Sequence, residues 1–116
     1  EEESMKEIMA VIRPNMTNAT KDALEAAGFP AYTCTKVRGR GKKPFNFASE
    51  ITGNTRHRLL PKRLITLIAA DDQADKIVEV IMKTNHTGTP GDGKIFVMPI
   101  FESYQVRNGE GGADAY

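Results

Sequence analysis

The sequence predicts an α+β fold with the element order β-α-β-β-α-β: one four-stranded sheet, two helices on one of its faces, and a long loop between strands 2 and 3. Three observations predict it. Four short runs are continuously apolar or rich in β-formers. Two stretches between them repeat apolar residues at helical spacing. Residues 38–60 show almost no periodicity.

Lys6–Arg13 (KEIMAVIR) is nearly continuous apolar sequence and reads as a buried strand stopped by Pro14. Met16–Ala27 places Ala19, Ala23, Leu24 and Ala27 at helical spacing, with Thr17 or Asn18 as N-cap and Gly28 as the terminating glycine. Ala31–Val37 (AYTCTKV) is rich in β-formers and reads as the second strand. Arg38–Leu60 is too long for a routine connection, and loops of that length in compact domains are usually functional or disordered. Lys62–Ala70 (KRLITLIAA) resumes as a strand. Asp71 and Asp72 supply an N-cap and an acidic first turn for a helix reaching Thr84, with Ile77, Val80 and Ile81 inward. His86–Gly93 (HTGTPGDG) is a loop, and Lys94–Phe101 (KIFVMPIF) is the fourth strand. This order is the ferredoxin-like βαββαβ sandwich.

At 116 residues the chain is a single domain, expected over residues 5–116, with the Glu-Glu-Glu-Ser start read as an added or disordered remnant. Its 40% apolar and 27% charged residues are ordinary for a soluble globular protein. The longest apolar runs fall far short of the ~20 residues that span a bilayer, so no membrane span is expected. The single cysteine, Cys34, rules out an intrachain disulfide and suits a reducing cytoplasm; in its strand it reads as an inert thiol. A net charge of +1 argues against a dedicated nucleic-acid binder. The charge is unevenly placed, however. Between Lys36 and Arg63 stand nine Lys or Arg against one acid, Glu50. Such a patch suits phosphate, a carboxylate metabolite or an acidic protein surface.

Gly88-Thr89-Pro90-Gly91-Asp92-Gly93-Lys94 satisfies part of the Walker A pattern, but Ile95 stands where Ser or Thr must bind the metal, and a strand follows instead of a helix. The stretch is not a P-loop. It retains glycines that let backbone N–H groups approach an anion, and Lys94 adds a point charge. Gly39-Arg40-Gly41-Lys42-Lys43 offers the same ingredients more weakly. Catalytic constellations are missing. His57 and His86 have no partner at metal-ligand spacing, and Ser4, Ser49 and Ser103 lie in no nucleophile elbow. Asp71 and Asp72 read as a helix start. No enzyme class emerges.

Met5–Pro14, Thr33–Gly41, Leu60-Pro61-Lys62 and above all Thr87–Pro99 (TGTPGDGKIFVMP) together resemble the PII family of nitrogen-regulatory signalling proteins, over essentially all of Met5–Tyr116. The resemblance implies a homotrimer or related hexamer, formed with itself or a paralogue, that binds ATP or ADP in lateral clefts between subunits. Nucleotide contacts then fall on Thr33, Gly39, Gly41, Lys42, Ile68, Gly91, Asp92, Gly93, Lys94 and Arg107. In members that sense 2-oxoglutarate, the metabolite sits at the base of the long T-loop, here on Gly41, Lys43 and Lys62. Residues 38–60 become that T-loop, whose Arg40, Phe45, Phe47, Arg56 and Arg58 would face a target protein.

Three departures from the family pattern matter. Its metal-binding glutamine is Lys43 here, and an ammonium group has no lone pair for a cation, so any magnesium site must differ or be lost. Of two tail arginines, one is Gln105 and only Arg107 remains. The loop tip where some members are uridylylated on tyrosine carries Thr55. Arg13-Pro14-Asn15-Met16, Gly39–Lys43 and His57–Leu64 are similar to the nitrogenase-regulating NifI branch, whose target is dinitrogenase; an ammonium transporter is the alternative. Two other classes compete. A nucleotide hydrolase would need a general base that the sequence does not position. An RNA-binding ferredoxin-like domain would need aromatic residues on exposed strand positions, and Ile8, Ala10, Ile95 and Val97 do not form that pattern.

Overall fold

The computed structural model describes residues 4–40 and 59–111. Their elements are β1 (Met5–Ile12), a short 3-10 turn (Pro14–Met16), α1 (Thr17–Ala26), β2 (Thr33–Gly39), β3 (Leu60–Ala70), α2 (Asp71–Asn85) and β4 (Lys94–Ile100). The four strands form one sheet in the order β2-β3-β1-β4, every neighbouring pair antiparallel. This is the ferredoxin-like α+β sandwich. The registers run Met5↔Ala70 to Ile12↔Arg63, Met5↔Ile100 to Val11↔Lys94, and Thr33↔Thr66 to Gly39↔Leu60. Pro99 is tolerated because β4 lies at the sheet edge, and Pro61 because it stands near the start of β3, before the pairing with β1 begins.

Side chains alternate across the sheet, so each strand feeds two faces. Ile8, Ala10, Ile12, Ile65, Leu67 and Ala69 form the helix-covered face, and Leu24, Ala74, Ile77 and Ile81 close the core from above. The opposite, helix-free face carries Met9, Val11, Leu64, Ile68, Phe96 and Met98, an apolar surface with Phe96 half exposed.

That register corrects the sheet face expected for four strand residues. Ile8 pairs with Val97 and Ala10 with Ile95, and Ile8 and Ala10 are wholly buried under the helices. The positions an RNA would meet are Met9, Val11, Phe96 and Met98, with Phe96 their single aromatic. In α1 the expected inward Ala19 is exposed, and Thr20 is buried instead. Thr20 donates its hydroxyl to the Met16 carbonyl (2.7 Å) and accepts from Asn85 Nδ2 (3.0 Å), which also reaches the Ile81 carbonyl. A polar tie thus joins the two helices inside the apolar layer.

The helix ends differ from expectation in detail. Thr17 is the first residue of α1, and its hydroxyl turns back to the Pro14 carbonyl. Ala70 occupies the N-cap of α2; Asp71 and Asp72 fall inside its first turn, favourable to the helix dipole, while the Asp71 N–H donates to the Ser4 carbonyl. Gly28 ends α1 as predicted. At φ +95° it donates to Glu25, and Phe29 donates to Leu24, the paired bonds of a Schellman motif. β2 and β3 also extend into the expected loop, taking in Arg38, Gly39 and Leu60, and β3 includes Pro61 beside it, because backbone pairing tolerates both Gly and a Pro near the strand start.

Candidate functional site

One end of the sheet gathers the C-termini of β1 and β2 and the N-termini of β3 and β4. The stretch between α2 and β4, residues 86–93, arrives at that end, and its glycines explain how. Gly93 has φ +114°, and a Cβ there would stand 2.0 Å from the Val11 carbonyl oxygen. Only glycine lets the chain lie against the end of β1 before Lys94 begins β4. Gly91 has φ +98° and sits beneath the Arg13 guanidinium, 3.1 Å from the position its Cβ would take.

Arg13 and Asp92 organise the loop. Asp92 accepts from the Thr87 and Gly88 amides (2.8 and 2.9 Å) and from the Thr87 hydroxyl. Arg13 Nη1 donates to Asp92 at 2.7 Å, and Nη2 donates to the Pro90 carbonyl (3.0 Å) and the Thr89 hydroxyl (3.2 Å). Hydrogen bonds from Thr87, side chain foremost and backbone next, hold the Asp92 carboxyl well below its ordinary range, with Arg13 and Gly88 adding to the effect against partial burial. Lys62 reaches the Gly91 carbonyl at 3.4 Å. Its own pKa is lowered, first by burial and then by the Arg13 charge. Two cations therefore converge on one turn that carries one carboxylate.

The expected site residues separate by their place in the fold. Gly91, Asp92, Gly93, Lys94, Lys62 and Gly39 share this end of the sheet; Lys94 is exposed at the start of β4, and Gly39 pairs with Leu60. Thr33 and Ile68 lie further along: Thr33 pairs with Thr66, and Ile68 with Glu7. Arg107 is exposed in a tail turn where Gln105 donates to Glu110 and Gly109 to Gln105. Arg40 is exposed beyond β2, whereas Gly41, Lys42, Lys43, Phe45, Phe47, Arg56 and Arg58 lie outside the described residues. Sequence reasoning gave no role in the site to Arg13, Thr87 or Thr89. The one available signal was a Thr five residues before an Asp in a glycine-rich turn, a pattern that favours local side-chain-to-backbone bonds.

The sequence profile of the family described as nitrogen regulatory protein P-II matches residues 5–110. The chain belongs to the P-II family. Among relatives in that family, a nitrogen fixation nifHD region GlnB-like protein 2 from Methanothermobacter marburgensis is 41% identical, covering 96% of this chain and 99% of its own. A nitrogen regulatory protein P-II 2 from Methanothermobacter thermautotrophicus is 44% identical over 96% of each chain. A crystal structure of Arabidopsis thaliana PII bound to citrate superposes with a TM-score of 0.76 at 26% identity, covering 98% of this chain and 94% of that one. The resemblance read from Thr87–Pro99 is thus correct, and so is its placement near the nitrogen-fixation branch of the family. Among the described residues no helix is long and apolar enough to cross a membrane.

Proposed function

We propose that this protein is a nucleotide-sensing adaptor, without enzymatic turnover, that couples adenine nucleotide and 2-oxoglutarate levels to the activity of a target protein. One observation carries the reading. The turn from Gly91 to Lys94 is pinned at the sheet end, with Gly93 against Val11 and Lys62 on the Gly91 carbonyl. Backbone amides of this turn and the Lys94 ammonium would hold the phosphates of ATP or ADP, joined by Gly39, Gly41 and Lys42. Lys62, whose charge burial already disfavours, would gain from a carboxylate of 2-oxoglutarate beside Gly41 and Lys43.

Thr33 and Ile68 lie four to six strand positions from Lys62, about 14–20 Å. That separation favours a nucleotide site assembled between neighbouring chains, where Thr33, Ile68 and Arg107 would come from the second chain. The apolar, helix-free sheet face supports the same assembly into a trimer or hexamer, because burying it would add to the core of a small domain. The protein would work in the cytoplasm, without nucleic acid. Ligands would then shift the T-loop between conformations of unequal affinity for the target, a coupling of ~1–3 kcal/mol.

The nitrogen-fixation names of its relatives support dinitrogenase as the target; an ammonium transporter is the second reading. Calorimetric titration of ATP, ADP and 2-oxoglutarate, singly and together, tests the effectors, and steady-state phosphate release should be negligible. Co-purification with dinitrogenase, reversed by ATP plus 2-oxoglutarate, tests the target. A monomer that takes up no adenine nucleotide at millimolar concentration refutes the reading.

A further inference from the structure

A carboxylate inside a turn offered to polyphosphate presents an electrostatic problem. Asp92 lies between Gly91 and Gly93, and an uncompensated negative charge there would repel the phosphates that the neighbouring amides are placed to hold. The geometry disposes of that charge inward. Both Asp92 oxygens are engaged, by Thr87 N–H, Gly88 N–H and the Thr87 hydroxyl, and Arg13 closes the set at 2.7 Å. The same guanidinium holds Pro90 and Thr89 and lies over Gly91, so it is bonded to three of the turn's four residues 89–92. Arg13 stands one residue beyond β1, anchored to the strand against which Gly93 is wedged.

We infer that Arg13 is a positioning residue for the nucleotide site: by neutralising Asp92 and bracing residues 89–92 against the end of β1, it leaves the Gly91–Lys94 amides and the Lys94 charge free to receive phosphate. Asp92 accordingly contacts no phosphate itself. It is the internal anion that shapes the turn, and Arg13 is its counter-ion. This inference rests on the proposed nucleotide site and deepens it. Lys62 does not duplicate the role, since it reaches the Gly91 carbonyl and not the carboxylate.

The test is calorimetric titration of ATP into the intact wild-type protein and into Arg13→Gln, Asp92→Asn and the double variant, each with its thermal midpoint recorded. Arg13→Gln strands the carboxylate in the turn and should weaken ATP about tenfold, the size expected of one uncompensated charge near a polyphosphate at a partly buried site. Asp92→Asn keeps an acceptor oxygen and removes the charge, so its loss should stay within about threefold. The double variant should bind ATP better than Arg13→Gln alone, a recovery that simple damage to the fold would not give. Arg13→Gln binding like wild type, or a double variant no better than Arg13→Gln, overturns the inference and leaves the nucleotide site standing. Wild-type protein that binds no ATP overturns both. If Arg13→Gln does not fold, Arg13→Lys, which keeps the charge and loses the fork, takes its place: ATP affinity equal to wild type overturns the bracing role, and a several-fold loss supports it.

Discussion

Replacing Gly93 by alanine separates two costs that are usually confounded. The backbone there has φ +114°, outside the range an L-residue adopts readily, and an added methyl would lie 2.0 Å from the Val11 carbonyl oxygen and 3.1 Å from its carbon. Gly88 provides the control. It also has positive φ, +83°, but a Cβ there meets nothing within 4 Å. Backbone strain alone should destabilise Gly88→Ala by about 1 kcal/mol. At Gly93 the obstruction is backbone in a central strand, which cannot swing aside like a side-chain tip, so a further ~2 kcal/mol of displacement is expected. That difference is roughly 30-fold in the unfolding equilibrium. Gly91→Ala should fall between the two, because the atom it meets is the movable end of Arg13. Urea unfolding followed by circular dichroism on the three variants, at one protein concentration, gives the ranking. Equal destabilisation of Gly93→Ala and Gly88→Ala would show that the turn does not press on β1 as described, and the argument for a pinned phosphate turn would fall with it.

Thr20→Val should destabilise by about 1–3 kcal/mol, because it removes one of the two acceptors of the buried Asn85 amide nitrogen, and Thr20→Val/Asn85→Leu should recover part of the loss in the same urea assay. The acid limb of stability should carry the Asp92 signature. Its folded pKa lies below the ordinary 3.8, so its contribution is complete above that value and is lost as pH falls below it toward the folded pKa. Asp92→Asn should flatten that limb in unfolding midpoints measured from pH 5 to pH 2, and an unchanged slope would count against the network. Lys43→Gln should make 2-oxoglutarate binding more dependent on magnesium, since an amide oxygen can ligate the cation and an ammonium cannot; calorimetric titrations with and without the metal decide it.

How much of this was legible in the sequence depended on where each signal sat along the chain. β1, β3 and β4 announced themselves as apolar runs, and α2 through its acidic start and inward Ile77 and Ile81. Those same runs hid which way each residue faced: KEIMAVIR is apolar on both sides, so no alternation told Ile8 from Met9. Thr20 carries no inward signal in the sequence, because a threonine among alanines reads as solvent-facing, and its hydroxyl is satisfied only through Met16 and Asn85. The Gly88–Lys94 turn was readable from its glycines and Lys94. Its brace was not, because Arg13 lies 79 residues from Asp92 and pairs with it only through the β1–β4 register. Lys62 was found through family likeness, and the fold supplied its physical setting beside Gly91.

The last paired residues of β2 and β3, Gly39 and Leu60, sit opposite each other, so both ends of the stretch 40–59 are fixed at a single point of the sheet. A segment tethered this way behaves as an exchangeable cassette. The entropy of closing such an excursion rises only logarithmically, by about 0.6 kcal/mol for each doubling in length. Rewriting its length or chemistry therefore leaves the strand ladder, the helices and the Arg13 brace where they are. In the proposed adaptor, rewriting residues 44–59 would change the client, while Gly41, Lys42 and Lys43 at the base of the stretch would stay with the effector sites.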